Sequence, residues 1–116
     1  MAFKLVTAIF DKLRLEAVEA ALVKHGVKGF TVHAVRGRGA YFDAYNRDHL
    51  TTHIRLLTYT SEKNARAVAQ VIMDAAHAGI DNEGLVQITP VDEVYWIHTR
   101  QCCDESDFDF CEVHND

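Results

Sequence analysis

The sequence predicts an α+β sandwich of the ferredoxin-like type, βαββαβ, with a short extra C-terminal strand. Three observations carry this. Strand-like and helix-like stretches follow the order βαβ twice. Each half ends its helix at a histidine followed within two residues by glycine (His25-Gly26 and His77-Ala78-Gly79) and then enters a strand. The strands do not alternate: Phe3, Leu5, Val6, Ala8, Ile9 and Phe10 place apolar side chains on both faces of a sheet. Two helices cover one face only, so the other face predicts a homo-oligomer.

The elements follow in order. Phe3 to Phe10 reads as a strand. Leu15, Val18, Ala21 and Leu22 have helical spacing over Leu15 to His25, with Gly26 as C-terminal cap. Gly29 to Arg36 is a second strand, followed by polar loop chemistry from Gly37 to about Thr51. His53 to Thr60 is a third strand. Ser61 is placed as N-cap of a helix from Glu62 to Ala78, with a buried stripe of Ala65, Val68, Ala69, Ile72, Ala75 and Ala76. Gly79 closes that helix. Leu85 to Thr89 is a fourth strand ended by Pro90, and Val94 to Thr99 a fifth. The expected division is a domain over residues 1–100 and an acidic, cysteine-containing tail over 101–116.

With 116 residues, 48% of them apolar and a single proline, the chain suits one small globular domain. No run of about 18 apolar residues predicts a membrane span. The N-terminus enters a strand pattern directly, so the expected location is cytoplasmic. Net charge is −5, and it is unevenly spread: six of the 17 acids follow Cys103, where there is no Lys or Arg. The body is therefore about neutral, and an acidic tail without a basic stripe argues against nucleic-acid binding. All three cysteines, Cys102, Cys103 and Cys111, lie in the last fifteen residues.

Residues 29–39, GFTVHAVRGRG, run from a strand into a basic loop bracketed by glycines. Glycine lets a backbone approach a ligand, and arginine gives charge-assisted donors to an anion. This predicts anion binding, with phosphate as the expected anion, set against the reading of an ordinary exposed hairpin entry. Over roughly residues 3–100 the chain resembles the PII family of trimeric signalling proteins. The stretches that carry the resemblance are LEAVEAAL (15–22), GVKGFTV (26–32), VRGRG (35–39) and VDEVYWIHT (91–99), in that order and spacing.

The resemblance implies a homotrimer with adenine nucleotides bound in clefts between subunits, and a loop, here residues 39–51, that docks on a protein partner such as a transporter or an enzyme. It places Thr31, Gly37 and Arg38 on the adenine and phosphate side of the cleft. Gly79, Asn82, Glu83, Gly84 and Leu85 fall in its second nucleotide-contacting loop, and Trp96 and His98 complete it. Standard members hold the outer phosphates with one lysine and two arginines, where this chain has Leu85, Trp96 and His98. Each lost charged hydrogen bond is worth roughly 1.5–3 kcal/mol, so ADP or AMP is expected to be favoured over ATP. The loop is also short, and Tyr41 and Tyr45 do not stand in the context of the family's modified tyrosine. This pattern is similar to the divergent PII-like branch linked to inorganic carbon, including carboxysome-associated proteins and regulators of bicarbonate transporters. Members of that branch favour AMP, ADP or cyclic AMP, and some sense bicarbonate or carry a cysteine-bearing extension.

Several motifs keep two readings. Arg36, Arg47 and Arg55 could gather bicarbonate, against a reading as solvated surface charge. Cys102 or Cys103 with Cys111 could form a reversible disulfide, against an inert tail. Phe108 and Phe110 among acids suggest a tail that docks on the body when pinned. Seven histidines form no tight sequence cluster, so no metal site is expected. The competing class is a trimeric ferredoxin-like metal-binding protein of the copper-tolerance type. No nucleophile–base pair or catalytic carboxylate pair stands out, so an enzyme is the weaker class, with slow nucleotide hydrolysis left open.

Overall fold

A computed structural model of the chain describes residues 2–37, 51–79 and 84–111. Six elements build the body: β1 (Phe3–Asp11), α1 (Leu15–Lys24), β2 (Thr31–Gly37), β3 (Thr51–Ser61), α2 (Ala65–Ala76) and β4 (Gly84–Val91). The strands form one antiparallel sheet in the order β2-β3-β1-β4, as the ferredoxin-like pattern requires. Residues directly opposite one another share a face. Val6, Ala8 and Phe10 of β1 and Ile54 and Leu56 of β3 therefore point together toward the helices. There they meet Val18 and Leu22 of α1 and Val68 and Ile72 of α2, all at most 5% exposed.

The expected stripe on α2 is buried at Ala65, Val68, Ala69 and Ile72, with Ala75 and Ala76 half-buried against the same core. The helix starts later than the sequence suggests. Ser61 is extended and makes no capping bond, because its backbone is still paired with Phe3 in the sheet. A 3-10 turn, Glu62–Asn64, intervenes before Ala65. The helix also stops at Ala76 with His77 as C-cap, so Gly79 lies beyond the cap in a bend at φ +80°. Gly26, by contrast, closes α1 as expected. At φ +83° it donates to the Val23 carbonyl at 3.0 Å, while Val27 donates to the Leu22 carbonyl at 3.0 Å, the two bonds of a Schellman cap.

Two further expectations are corrected. Pro90 does not end the fourth strand: it pairs with Lys4 inside β4, an edge strand whose outer side needs no N–H donor. The fifth strand over Val94 to Thr99 is absent. Residues 95–102 fold back on themselves, with one isolated bridge between Tyr95 and Cys102. Trp96 N donates to the Gln101 carbonyl at 3.0 Å and Arg100 N to the Trp96 carbonyl at 2.8 Å. Arg100 holds φ +61° to close this turn, a conformation that β-chain pairing cannot use.

The segment that follows packs on the body. A 3-10 turn, Glu105–Phe108, is held by a capping box between Asp104 and Asp107. Phe108 meets Phe3 edge-on at 5.7 Å, and Phe110 stacks on the His25 ring at 5.0 Å. Cys111 N donates to the His25 carbonyl at 2.6 Å, and His25 Nδ1 lies 2.7 Å from the Cys111 carbonyl oxygen. The face of the sheet away from the helices carries Leu5, Ile9, Leu57, Tyr59 and Leu85, and among the described residues no helix covers it.

Candidate functional site

β2 begins at Thr31, opposite Leu57, so residues 58–61 of β3 run on past it with a free strand edge. The incoming chain lies alongside instead, tied by Thr58 Oγ1 donating to the Gly29 carbonyl at 2.8 Å. The result is a groove of about 610 Å³. Gly29 and Thr31 form one wall, Thr58 and Thr60 the floor, and Trp96 and Phe108 the other wall. Its charged lining is Lys28 against Asp107 and Asp109. Polar backbone, threonines and the aromatic rings of Phe30, Tyr59, Trp96 and Phe108 suit a flat, polar heterocycle; a single lysine beside two carboxylates does not suit several phosphates.

The 95–102 turn presents Trp96 to this groove. Its ring stacks on Phe108 at 6.2 Å with a 26° interplanar angle, and its Nε1 donates to Asp107 Oδ2 at 3.1 Å. The same carboxylate oxygen accepts from Asp104 N at 2.8 Å. Asp104 in turn accepts from the N–H and hydroxyl of Ser106, which hold its carboxyl below the usual carboxylate range. Tyr95 donates to Glu93 at 3.2 Å, and that bond, then the Glu93 charge, raises its phenol above 10.0.

Of the residues implied in nucleotide binding, Thr31 and Trp96 come together here. Gly37 is at the far end of β2, about 20 Å along the strand. Gly79 lies in the bend after α2, whereas Gly84 and Leu85 belong to the opposite edge of the sheet, about 14 Å across from β2 at three strand spacings. There Gly84, Leu85, Phe10 and Met73 line a second, apolar hollow of about 250 Å³. Gly84 has its own packing reason: at φ +136°, an added Cβ would come within 1.8 Å of the Ile9 carbonyl oxygen. His98 lies exposed in the turn and does not line the groove. Arg38, Arg47, Asn82, Glu83 and residues 39–50 of the expected docking loop lie outside the described residues.

Arg36 and Arg55 do not converge within one chain. Arg55 pairs with His33 on the uncovered face, whereas Arg36 pairs with Thr52 on the helix side. The three cysteines are free thiols. Cys103 is buried, which raises its thiol above 9.0, aided by the Asp107 charge; Cys102 is exposed, and exposed Cys111 abuts Gly26. Among the described residues no three His, Cys, Asp or Glu side chains gather as metal ligands, and no helix is long and apolar enough to cross a membrane. Sequence reasoning missed Asp107 and Thr58. The alternation Asp107-Phe108-Asp109-Phe110 was the available signal for the first; nothing local marks the second, a buried side chain that lines the groove beside the late start of β2.

Comparison with known proteins places this geometry. The family described as "Nitrogen regulatory protein P-II" matches residues 3–101. A nitrogen regulatory protein P-II of Synechocystis sp. is 31% identical over 105 residues, covering 84% of this chain and 94% of that protein. A nitrogen regulatory protein P-II 2 of Methanothermobacter thermautotrophicus is 32% identical over 105 residues, covering 84% and 91%. The P-II homolog of Arabidopsis thaliana is 27% identical, and the match spans 55% of its length. The crystal structure of Arabidopsis thaliana PII bound to citrate superposes with a TM-score of 0.78 at 26% identity, covering 90% of this chain and 91% of that one. The match runs through both halves of the sheet and into the turn that carries Trp96, and on it the chain belongs to the P-II family of regulatory signalling proteins.

Proposed function

We propose that this protein is a homotrimeric sensor of adenine nucleotides with few phosphates, AMP or ADP, bound between neighbouring copies. The observation that carries the reading is the division of the implied nucleotide residues. Thr31 and Trp96 sit at the β2 edge, while Gly84 and Leu85 sit at the β4 edge of the same sheet. One small ligand touches both sets only where the β2 edge of one copy meets the β4 edge of another. The uncovered face supplies the surface for such packing, since Tyr59 and Leu85 remain 46% and 39% exposed on it. Leu85, Trp96 and His98 replace the cations that a triphosphate needs, and the groove adds two carboxylates.

Nucleotide occupancy would select among conformations of loop 39–51, to the extent that the ligand binds them with different affinity, and so alter the fit of a partner such as a transporter or a carbon-metabolism protein. Bicarbonate is the proposed second ligand, with Arg55 on the uncovered face as the arginine through which copies could gather charge. The Arabidopsis relative was crystallised with citrate, so small carboxylates belong in the same titration. Calorimetry with AMP, ADP and Mg-ATP tests the reading: AMP or ADP should bind at least as tightly as ATP, and a clear preference for Mg-ATP contradicts it.

A further inference from the structure

The groove that brings Thr31 and Trp96 together is partly filled by the chain's own C-terminus. Residues 104–111 lie beyond the stretch shared with the family, which ends at 101. They form a strap fixed at two points: Phe108 against Phe3, and Cys111 with Phe110 against His25. Asn64 Nδ2 adds a long bond of 3.4 Å to the Phe108 carbonyl. At the first of these anchors, Asp107 and Phe108 also engage Trp96. The carboxylate takes the indole N–H, and the ring lies over the indole face. An anionic group and a flat aromatic ring are the two chemical features of a nucleotide, and both interactions of Trp96 are already made within the chain.

From this we infer that the strap is an intrasteric cover, holding Asp107 and Phe108 against Trp96 in competition with the nucleotide. The inference rests on the nucleotide reading given above. A docked strap contributes two carboxylates, Asp107 and Asp109, to a groove whose lining among the described residues has Lys28 as its one cation, so it opposes a phosphate by charge as well as by volume. Its hold is modest by construction. Asp107 is exposed, the Asn64 bond is long, and ordering a terminal segment costs backbone entropy. A weakly closed state of this kind lowers apparent affinity in proportion to the fraction of open protein.

Trp96 is the single tryptophan, so its fluorescence reports the strap directly. The experiment compares the full-length protein with Asp107→Ala, an exposed position whose replacement removes the bonds to Trp96 and Asp104 without touching the core. Phe108→Ala is the second variant. Iodide quenching of Trp96 in the nucleotide-free protein should rise in both. Calorimetry should then show AMP binding roughly three- to tenfold tighter to Asp107→Ala, the gain expected when one or two hydrogen bonds closing the strap are lost. Unchanged quenching overturns the strap. Raised quenching with unchanged AMP affinity overturns the competition, and weakened affinity overturns it in favour of a lid that closes over the ligand. If neither AMP nor ADP binds any of the three proteins, the nucleotide reading itself has failed, and the competition falls with it; equal binding by all three would refute the competition and leave the nucleotide reading standing.

Discussion

On the helix side of the sheet Val6, Ala8, Phe10, Ile54 and Leu56 are at most 5% exposed. Across the same strands Tyr59 and Leu85 remain 46% and 39% exposed, and Leu5, Ile9 and Leu57 are half-buried. The two faces are made of similar residues, so composition does not set the difference. It arises because α1 and α2 both cross on one side. A sheet apolar on both faces with helices on one leaves a surface suited to another copy, and under the proposed function such packing would let residues at opposite edges of the sheet serve a single ligand.

Substitutions on the two faces should therefore fail in different ways. The largest effect is expected at the edge that fixes β4. Gly84→Val forces a side chain against the Ile9 carbonyl at φ +136°, and backbone strain with overpacking should cost about 3–6 kcal/mol in urea unfolding. Leu56→Ala opens a cavity under both helices and should cost about 2–5 kcal/mol with an unchanged urea m-value. Leu57→Glu, one residue along and facing the other way, should leave the monomer's secondary structure intact while dissociating the oligomer, read by sedimentation. If Leu57→Glu unfolds the chain and Leu56→Ala does not, the assignment of faces is inverted.

The smallest effect concerns the strap. The folded state holds the Asp104 carboxyl below its ordinary 3.8 through Ser106. A depressed carboxylate contributes its stabilisation in full above that ordinary value and loses it as pH falls through the lower folded one. Trp96 exposure to iodide should accordingly be constant from neutral pH down to about 4 and should increase below it. An increase centred near neutrality would assign the transition to some other group.

How much of this was legible in the sequence depends on how local each cause is. The two helices and four strands follow from spacing and from glycines at chain reversals, and Gly26 closes α1 through its own φ. The start of α2 was placed too early because Ser61 looks like a cap, whereas pairing with Phe3, a long-range contact, keeps it in the sheet. Pro90 looked like a stop and is not, since only the sheet order reveals that β4 is an edge. Val94 to Thr99 has the composition of a strand, but among the described residues it joins no edge of the sheet, and the turn closed by Arg100 takes its place. For the site, resemblance pointed to Thr31 and Trp96, which the groove brings together. Neither spacing nor resemblance indicated that Asp107 would occupy the indole N–H, because the bond joins a short 3-10 turn to a separate turn, both outside the sheet and the two α-helices.

Native mass spectrometry of the full-length protein, titrated with AMP, ADP and Mg-ATP, tests the central claim most directly. The account predicts a particle of three chains that takes up AMP or ADP, up to one per chain, with no tighter uptake of Mg-ATP. A monomer that binds AMP with undiminished affinity would contradict it, because a single copy would then hold the whole site on one edge of its sheet.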